Sequence, residues 1–479
     1  MDKVNSKGLL KKEPKNRRTL KTTEKGFYSK IFHLALPIIF QNLINTAVNS
    51  ADVVMLGFIN QSSLSAASLA NQISFVLNLF YSGVSSGVIM LCAQYWGKKQ
   101  PRAIEKIMGI AVRLSMSVSI LVGAASCLTP GLLMRIFTSD QELISMGSSY
   151  LRILGFSYLF MGFSQVYLCV MRSIERVMFS AVVTAIALIS NILLNAVFIF
   201  GLLGAPALGI QGAALATAIA RGIELAICIC DNFRKRTVRF RIQEVFSINR
   251  VLFRDFLHYS LPALGNDVVW GVGFSMYSVI MGHLGSDIVA ANSIVVVARN
   301  LGTAVCFGIA SASAILLGKE IGDNQIEKAK RDTTRLYWLT FWAGVAGGIL
   351  ILFLRPVIMN MAELTAQARE YLGIMLYINV YYTVGQAINT MVISGAFRSG
   401  GDSRFGFICD TINMWIYAVP LGFLSAFVLK LPPMVVYFLI CTDEFVKMPF
   451  VYRHYKSYRW LKNITRDNVV QENSLKQKG

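Results

Sequence analysis

The stretch LPIIFQNLINTAVNSADVVMLG at residues 36–57 is matched by LPALGNDVVWGVGFSMYSVIMG at residues 261–282, which corresponds to a sequence offset of 225. The same offset relates nine identical pairs: Ser50 and Ser275, Val54 and Val279, Gly57 and Gly282, Ala66 and Ala291, Ser68 and Ser293, Gly83 and Gly308, Ser86 and Ser311, Leu91 and Leu316, and Gly97 and Gly322. Met171-Arg172-Ser173 and Phe397-Arg398-Ser399 follow at an offset of 226. A gap-free register anchored on Pro and Gly indicates one duplicated unit, much longer than the roughly 20–50 residues of a solenoid repeat.

Each copy consists of long apolar stretches. The chain is 54% hydrophobic and 15% charged, with a mean hydropathy of +0.54, and a helix needs about 20 apolar residues to cross a bilayer. We place spans near 31–58, 64–94, 107–129, 148–170, 178–200, 209–231, 256–282, 289–317, 335–354, 371–394, 405–428 and 433–451. Six crossings return each copy to its starting side. The sequence therefore predicts an all-α polytopic membrane protein with twelve transmembrane helices, built as two parallel six-helix repeats with pseudo-twofold symmetry along the membrane normal.

Lys and Arg set the expected orientation. Thirty-seven of the 46 basic residues fall in tails and loops on one side of this arrangement, whereas the opposite loops hold Arg135, Arg355 and Lys430. By the positive-inside rule, both termini are expected in the cytoplasm. The predicted domains are a cytoplasmic basic tail at 1–30, an N-lobe of six helices at 31–231, a cytoplasmic linker at 232–255, a C-lobe of six helices at 256–451 and a second cytoplasmic basic tail at 452–479.

Composition and motifs argue against several classes of protein. The formal net charge of +20 follows from this topology, so no nucleic-acid partner is expected. The eight cysteines show no CxxC spacing, and the four histidines form no metal-binding or nucleophile pattern. No GxxxxGK[ST] loop is present. We expect a monomeric, multi-pass plasma-membrane protein whose partner is the lipid bilayer, with no enzymatic activity, cofactor or bound metal.

Asp52 is the most informative polar residue, because a carboxylate at membrane depth costs at least about 2.5–3.5 kcal/mol to insert. Gln41, Asn45, Asn49 and Asp52 share one face of the first span, at offsets of 4, 8 and 11. Such a stripe is expected to line a watery cavity or to pack against another polar helix. A coupling role at Asp52 and a purely structural hydrogen bond between helices remain the two interpretations.

Asn191 and Asn195 lie one turn apart on the fifth span. Their amide oxygens can face a cation, or their amide groups can bind a neighbouring carboxylate, yet Asn also joins transmembrane helices without further purpose. On the sixth span, Arg221 and Glu224 are three residues apart, a spacing that predicts an ion pair.

The second copy offers further candidates for a substrate cavity. Asn266 and Asp267 occupy the repeat positions of Gln41 and Asn42, and the nearby aromatic residues suit either a flat cationic ligand or plain packing. The candidate residues are Asn266, Asp267, Trp270, Tyr277, Arg299, Tyr382, Gln386 and Asn389. Arg299 has no obvious local partner in the sequence. Asp410, Asp443 and Glu444 are placed toward the inner ends of their spans, where a structural role is expected.

From residue 27 to residue 455, the sequence resembles the MATE (multidrug and toxic compound extrusion) transporters. The resemblance rests on the Leu-Pro opening of both halves, on Ala51-Asp52-Val53-Val54-Met55-Leu56-Gly57, on Met281-Gly282-His283-Leu284-Gly285 with Ala290-Ala291-Asn292-Ser293-Ile294, and on the turns Met171-Arg172-Ser173 and Phe397-Arg398-Ser399-Gly400-Gly401-Asp402. It implies two six-helix lobes, a V-shaped cavity, and export of small organic cations in exchange for H+ or Na+. In that family, the Asp matched by Asp52 serves coupling.

The chain also departs from the family pattern. Many proton-coupled relatives carry an Asp on the fifth span, where this chain has Asn195. Sodium-type relatives have a Glu on the seventh span, where this chain has Asn266 or Asp267 nearby. They have an Asp on the tenth span, where this chain has Asn389 nearby. The coupling ion therefore remains open between H+ and Na+, and the candidate coupling residues are Asp52, Asn191, Asn195, Gln41 and Asn45.

Two functions from related classes compete. The first is a secondary antiporter that exports organic cations or drugs across the plasma membrane. The alternative is a flippase of lipid-linked saccharide precursors, which is expected to have a markedly basic cavity; Arg299 and Arg221 are the residues that favour it. A channel is disfavoured, because it needs pore-lining rings or a filter whereas this duplication predicts a single central cleft.

Overall fold

The computed structural model describes residues 17–234, 237–247, 249–361 and 364–466. The predicted tail segments 1–16 and 467–479 lie outside the described residues, as do residues 235, 236 and 248 of the predicted linker. The described part of the chain is helical and contains no strand.

The N-lobe consists of six long helices. They are α1 (Arg17–Gly57), α2 (Gln61–Gly97), α3 (Pro101–Leu128), α4 (Gln141–Ser173), α5 (Val177–Phe200) and α6 (Gly209–Phe233), with a short helix Pro130–Arg135 before α4. Local chemistry explains their ends. Asp140 caps α4 by accepting a hydrogen bond from the backbone N of Glu142 at 2.9 Å. Gly201 ends α5 in the left-handed conformation, with φ of 73°.

The C-lobe repeats this plan with less regular helices. They are α7 (Arg250–Leu284), α8 (Ser286–Gly322), α9 (Ile326–Met361), α10 (Ala366–Thr390, continued by the π-helix Met391–Phe397), α11 (Ser403–Val428) and α12 (Pro433–Ile440 and Asp443–Ser457). The linker between the lobes contains a short helix, Ile242–Phe246, which packs against α3. Several helices extend past the predicted apolar spans; α1 begins at Arg17, inside the predicted tail.

Twelve helices thus cross the molecule, as the sequence predicts. Nine of them, within the described residues, are long and apolar enough on their own to span a membrane. The other three are α7, α10 and α12, all in the C-lobe. Large apolar side chains such as Leu128, Leu203 and Phe353 point outward, at 80%, 94% and 76% exposure, as expected for a surface in contact with lipid. Of these three C-lobe helices, α12 is broken into two helices of 8 and 15 residues, whereas α7 and α10 are long enough but carry more polar residues.

Glycines at repeat-related positions hold the two lobes together. A Cβ on Gly83 of α2 would lie 2.5 Å from the Cβ of Leu264 on α7, and a Cβ on Gly308 of α8 would overlap Ile39 of α1. Gly83 and Gly308 are repeat counterparts, and so are Ile39 and Leu264. The two crossings are therefore related by the pseudo-twofold axis.

A third crossing lies on that axis, where α2 and α8 meet. A Cβ on Gly97 would collide with the carbonyl O of Lys319, and a Cβ on Gly322 would collide with the carbonyl O of Gln94. The two glycines are again repeat counterparts, as are Gln94 and Lys319. The helices therefore touch backbone to backbone at the end of the molecule where α1 begins and where the described chain ends at Arg466, here called the terminus side.

The segment after α12 crosses this closed end from one lobe to the other. Gln94 of α2 is fully buried; its Nε2 donates to the carbonyl oxygens of Ser399 at 2.7 Å and Lys462 at 3.0 Å, and its Oε1 accepts from the backbone N of Ile464 at 2.8 Å. Trp460, which belongs to this segment, is fully buried. One side chain of the N-lobe thus satisfies three backbone groups of the C-lobe and its C-terminal extension.

We predict that Gly97→Ala destabilises the protein by about 1–3 kcal/mol, because the new methyl group meets a backbone carbonyl that cannot rotate away. Gly282→Ala is the matched control: its position on α7 has open space around the Cβ. Thermal unfolding of the purified variants in detergent measures the difference. Equal midpoints for the two variants would contradict the close crossing.

Gln94→Leu is expected to lower the thermal midpoint by an amount that corresponds to about 1–3 kcal/mol, because it leaves buried backbone groups without partners. Gln325→Leu serves as control, since Gln325 is exposed and its side-chain amide donates to Asp323 at the protein surface. A Gln94→Leu protein as stable as the control would show that water replaces these hydrogen bonds.

Candidate functional site

A cavity of about 360 Å³ lies within the N-lobe. It is lined by α1, α2, α4, α5 and α6, and its lining includes Asp52, Asn71, Ser74, Asn78, Tyr150, Tyr158, Asn191, Thr217 and Arg221. Asp52 is the only carboxylate among these described lining residues. The half of each helix that is remote from the terminus side forms most of the wall.

One amide group of α5 holds the Asp52 carboxylate. Asn195 donates from Nδ2 to Asp52 Oδ1 at 2.5 Å, and Asn191 donates to Thr217 Oγ1 at 3.2 Å. Asn195 is 1% exposed, and its Oδ1 has no hydrogen-bond partner within the described residues. The arrangement combines one carboxylate with amide and hydroxyl oxygens, which are the ligands that hard cations prefer.

The rest of the predicted stripe on α1 lies elsewhere. Gln41 donates from Nε2 to Thr184 on α5 at 2.8 Å and lines neither of the large cavities. Asn45 is partly buried and also lines neither cavity, and the Asn49 side chain lies outside the described part of the structure. Eleven residues of helix span about 16 Å, so Gln41 and Asp52 share a face but sit at different depths.

Sequence reasoning missed the polar groups on the cavity wall opposite Asp52. Tyr150 of α4 donates to Asn71 Oδ1 at 3.3 Å, and the Tyr158 hydroxyl lies 2.8 Å from Ser74 Oγ. These are isolated polar residues on otherwise apolar helices, with no spacing that singles them out. Arg221 also reaches the cavity and donates to Glu224 at 2.7 Å, as its spacing predicts.

A second and larger cavity, of about 570 Å³, lies between the lobes. Phe75, Leu79 and Ser82 of α2 form its N-lobe wall, and C-lobe helices form the remainder. Six polar residues that the sequence analysis names line this cavity: Asn266, Asp267, Arg299, Asn389, Asp410 and Glu444. Trp270 and Lys447 also line it.

Arg398 binds the predicted Asn266 and Asp267. Its guanidinium donates to Asp267 Oδ1 at 2.6 Å and to Asn266 Oδ1 at 3.2 Å. Across the lobe interface, Arg398 donates to Ser86 at 2.7 Å, and Ser82 donates to Asp267 at 2.6 Å. Asp267 is therefore engaged in an ion pair that also joins the lobes.

Of the residues expected toward the inner ends of their spans, Asp410 lies in the first third of α11, whereas Asp443 and Glu444 lie midway along α12; all three are buried. They are 4%, 1% and 2% exposed, and α12 is broken just before Asp443, midway along its length. Lys447, which is 5% exposed, bonds Asp410 Oδ1 and Glu444 Oε1 at 3.0 Å each. The three-residue spacing of Glu444 and Lys447 was a signal for this ion pair; the contact with Asp410 on α11 had no signal in the sequence.

The candidate aromatic side chains contact other side chains of the protein. Trp270 packs on Phe274 with ring centroids 4.3 Å apart, and the Arg299 guanidinium lies 5.0 Å from the Phe274 centroid and 5.6 Å from that of Tyr382. Tyr277 donates to Asp443 at 3.1 Å and faces a smaller pocket of about 40 Å³. Of the predicted aromatic residues, Trp270 is the one that lines the large cavity.

The three candidate residues on α10, namely Tyr382, Gln386 and Asn389, are buried. Asn389 donates from Nδ2 to Glu444 Oε2 at 2.7 Å and lines the interlobe cavity. Gln386 is 4% exposed and lines neither cavity, and Tyr382 lines only the small pocket. The side-chain oxygens of all three have no hydrogen-bond partner within the described residues.

Comparison with known proteins gives consistent matches. The family model MatE matches residues 37–197 and 263–424, one segment in each half. An uncharacterized transporter of Bacillus subtilis, YisQ, is 23% identical over 449 residues, covering 92% of this chain and 96% of that protein. The probable multidrug resistance protein NorM of Thermotoga maritima is 22% identical over 448 residues, covering 92% and 95%.

Solved structures share the fold. A MOP superfamily transporter from Pyrococcus furiosus, described as having a binding pocket of reverse polarity that suggests a different function, superposes with a TM-score of 0.81 at 18% identity, covering 89% of this chain and 95% of that one. An outward-facing multidrug resistance MATE family transporter gives 0.81 at 17% identity, covering 90% and 96%.

The family model covers well over half of the chain, in the two halves that the internal repeat defines, and the twelve-helix fold agrees with it. The chain belongs to the MatE family and is a multi-pass membrane transporter of the multidrug efflux type.

Proposed function

We propose that this protein exports organic cations across the plasma membrane in exchange for H+ or Na+, with Asp52 as the coupling carboxylate. One observation carries the proposal. Of the four carboxylates that line the two large cavities, among the described residues, Asp267, Asp410 and Glu444 are paired with Arg or Lys, whereas Asp52 makes no ion pair. Asp52 is therefore the carboxylate whose negative charge is open to an incoming cation.

Asp52 suits exchange because it is held only by an amide group. Burial disfavours the charged form of a carboxyl group, and the donation from Asn195 favours it. A proton, a sodium ion and a cationic substrate are each attracted to the same carboxylate. One carboxylate cannot fully neutralise two guests, so entry of the coupling ion weakens the hold on the substrate.

The interlobe cavity supports a bulky ligand. Its volume of about 570 Å³ falls within the range of about 300–1,000 Å³ that is typical of small-molecule sites. Trp270 and Phe75 offer apolar and aromatic surface. Rocking of the two lobes about the glycine crossings would expose the cavities to either side of the membrane, with both termini in the cytoplasm as the positive-inside rule indicates.

A second candidate function, the flipping of lipid-linked saccharides, has one observation in its favour. Arg299 lines the interlobe cavity, and no acidic side chain pairs with it among the described residues. An unpaired guanidinium can bind the phosphate of a polyprenyl carrier. Arg221, the other cation that favoured this function, is paired with Glu224.

We expect Asp52→Asn to abolish gradient-driven efflux of a cationic dye from proteoliposomes, down to the rate of empty liposomes, because the neutral amide cannot attract either guest. Asp323→Asn, at an exposed position on the terminus side, should transport at the rate of the unmodified protein. Efflux retained by a well-expressed Asp52→Asn protein would rule out the coupling role.

A binding experiment identifies the coupling ion. We predict that the affinity for a cationic dye, measured by fluorescence anisotropy, falls by about 5- to 150-fold when the coupling ion is raised. The two arms are a pH series without sodium and a sodium series at fixed pH. Asp52→Asn should remove the dependence. Constant affinity in both series contradicts the exchange mechanism, and tight binding of a polyprenyl-linked sugar in place of the dye supports the flippase.

A further inference from the structure

The cluster around Lys447 has the geometry of an occupied cation site. The Lys447 ammonium bonds Asp410 Oδ1 and Glu444 Oε1 at 3.0 Å each. The remaining oxygens of these carboxylates accept from amides: Asp410 Oδ2 from Asn266 at 2.6 Å, and Glu444 Oε2 from Asn389 at 2.7 Å. The amides fix both carboxylates so that one oxygen of each faces the ammonium.

A separate observation points to a ligand at this place. Asn389 is 1% exposed and lines the interlobe cavity beside Lys447, and its Oδ1 has no hydrogen-bond partner in the described part of the chain. A buried amide oxygen without a partner is uncommon in native proteins. The Nδ2 of this amide faces Glu444, and its Oδ1 is left as an available acceptor on a residue that lines the same cavity.

The charges of the cluster also favour a cation. Asp443, next to Glu444, is fully enclosed; its carboxylate accepts from Tyr277 and from the backbone N of Glu444. Two buried carboxylates therefore bind the ammonium group directly, and a third buried carboxyl group, that of Asp443, lies next to Glu444. Removal of a buried charge leaves its partners uncompensated and is strongly destabilising, so this cluster requires a cation at the Lys447 position.

We propose that Asp410, Glu444 and Asn389 form a monovalent-cation site in the C-lobe, and that Lys447 fills it as a tethered counter-ion. The chain thereby supplies its own primary ammonium where a free cation would otherwise bind. The C-lobe keeps no exchangeable cation at this site, because a tethered group has a far higher effective concentration than a free ion. The inference concerns the C-lobe alone and does not depend on a coupling role for Asp52.

Replacing Lys447 by Ala should empty the site and make it available to a free guest. We expect the Lys447→Ala protein, purified at full length in detergent with tetraethylammonium as the background cation, to unfold at a lower temperature than the unmodified protein. Propylammonium chloride should restore at least about half of the lost stability in a saturable manner, because a ligand that binds only the folded state stabilises it. Titrations with sodium and ammonium chloride show which other cations the site accepts.

Two controls make the result specific. The unmodified protein should be stabilised by propylammonium less than Lys447→Ala is, because Lys447 occupies this site and Asp52 is left as the open carboxylate. The triple variant Asp410→Asn, Glu444→Gln, Lys447→Ala should respond no more than the unmodified protein, because the two carboxylates that bind the ammonium are gone. If Lys447→Ala alone cannot be purified, Lys447→Ala with Asp410→Asn retains Glu444 and Asn389, and the same titration applies.

Two outcomes would overturn the proposal. One is a Lys447→Ala protein as stable as the unmodified protein without any added cation. The other is a destabilised Lys447→Ala protein that responds to none of propylammonium, ammonium and sodium beyond the response of the triple variant. Efflux retained by Asp52→Asn, the result that rules out the coupling role, would leave both outcomes unchanged, so failure of this inference and failure of the proposed coupling role are distinguishable.

Discussion

The backbone contact between α2 and α8 at Gly97 and Gly322 constrains the whole molecule. Because neither residue has a Cβ, the two helices approach closely enough for each glycine to face a carbonyl of the other helix. The helix pairs α2–α7 and α1–α8 cross about four helical turns away from this contact, at Gly83 and Gly308. The lobes are joined at the terminus side, and both large cavities are built from the parts of the helices beyond it.

The carboxylates that line the two large cavities differ between the lobes. In the N-lobe, the amide of Asn195 holds one carboxylate, Asp52, and no ion pair neutralises it within the described residues. In the C-lobe, Arg398 pairs with Asp267, and Lys447 pairs with Asp410 and Glu444. The duplicated unit has therefore diverged most where its polar groups face inward. The helices differ as well: within the described residues, the three helices that do not qualify as lone spans, α7, α10 and the broken α12, are all in the C-lobe.

Much of the fold could be predicted because it depends on properties that can be read along the chain, namely the length of each apolar stretch and the recurrence of residues at a fixed offset. The length of an apolar stretch decides whether a helix can cross a bilayer, and the constant offset between the two halves reveals the duplication without any knowledge of contacts. Even the glycines of the lobe interface were visible as repeat pairs, such as Gly97 and Gly322. Their role was not visible, since a repeat shows that a position recurs and says nothing about what touches it.

The candidate sites were predictable only in part, for a geometric reason. Periodicity along one helix places residues on a common face, but it does not set their depth or their neighbours. Gln41 and Asp52 share a face of α1, yet Gln41 bonds Thr184 whereas Asp52 bonds Asn195 and lines a cavity. The pairing of Asp52 with α5 agrees with the prediction that these residues lie together, because few polar residues are available at that depth.

The sequence by itself determined the number of spans, their duplication, the family and the presence of a carboxylate at membrane depth, because all of these follow from composition and order along the chain. The tertiary structure alone decided which carboxylates form ion pairs between helices. Asp410 and Lys447 lie on different helices, 37 residues apart, and no pattern along either helix predicts their contact. Their meeting depends on how α11 packs against the break in α12, and long-range packing of this kind is set by the whole fold.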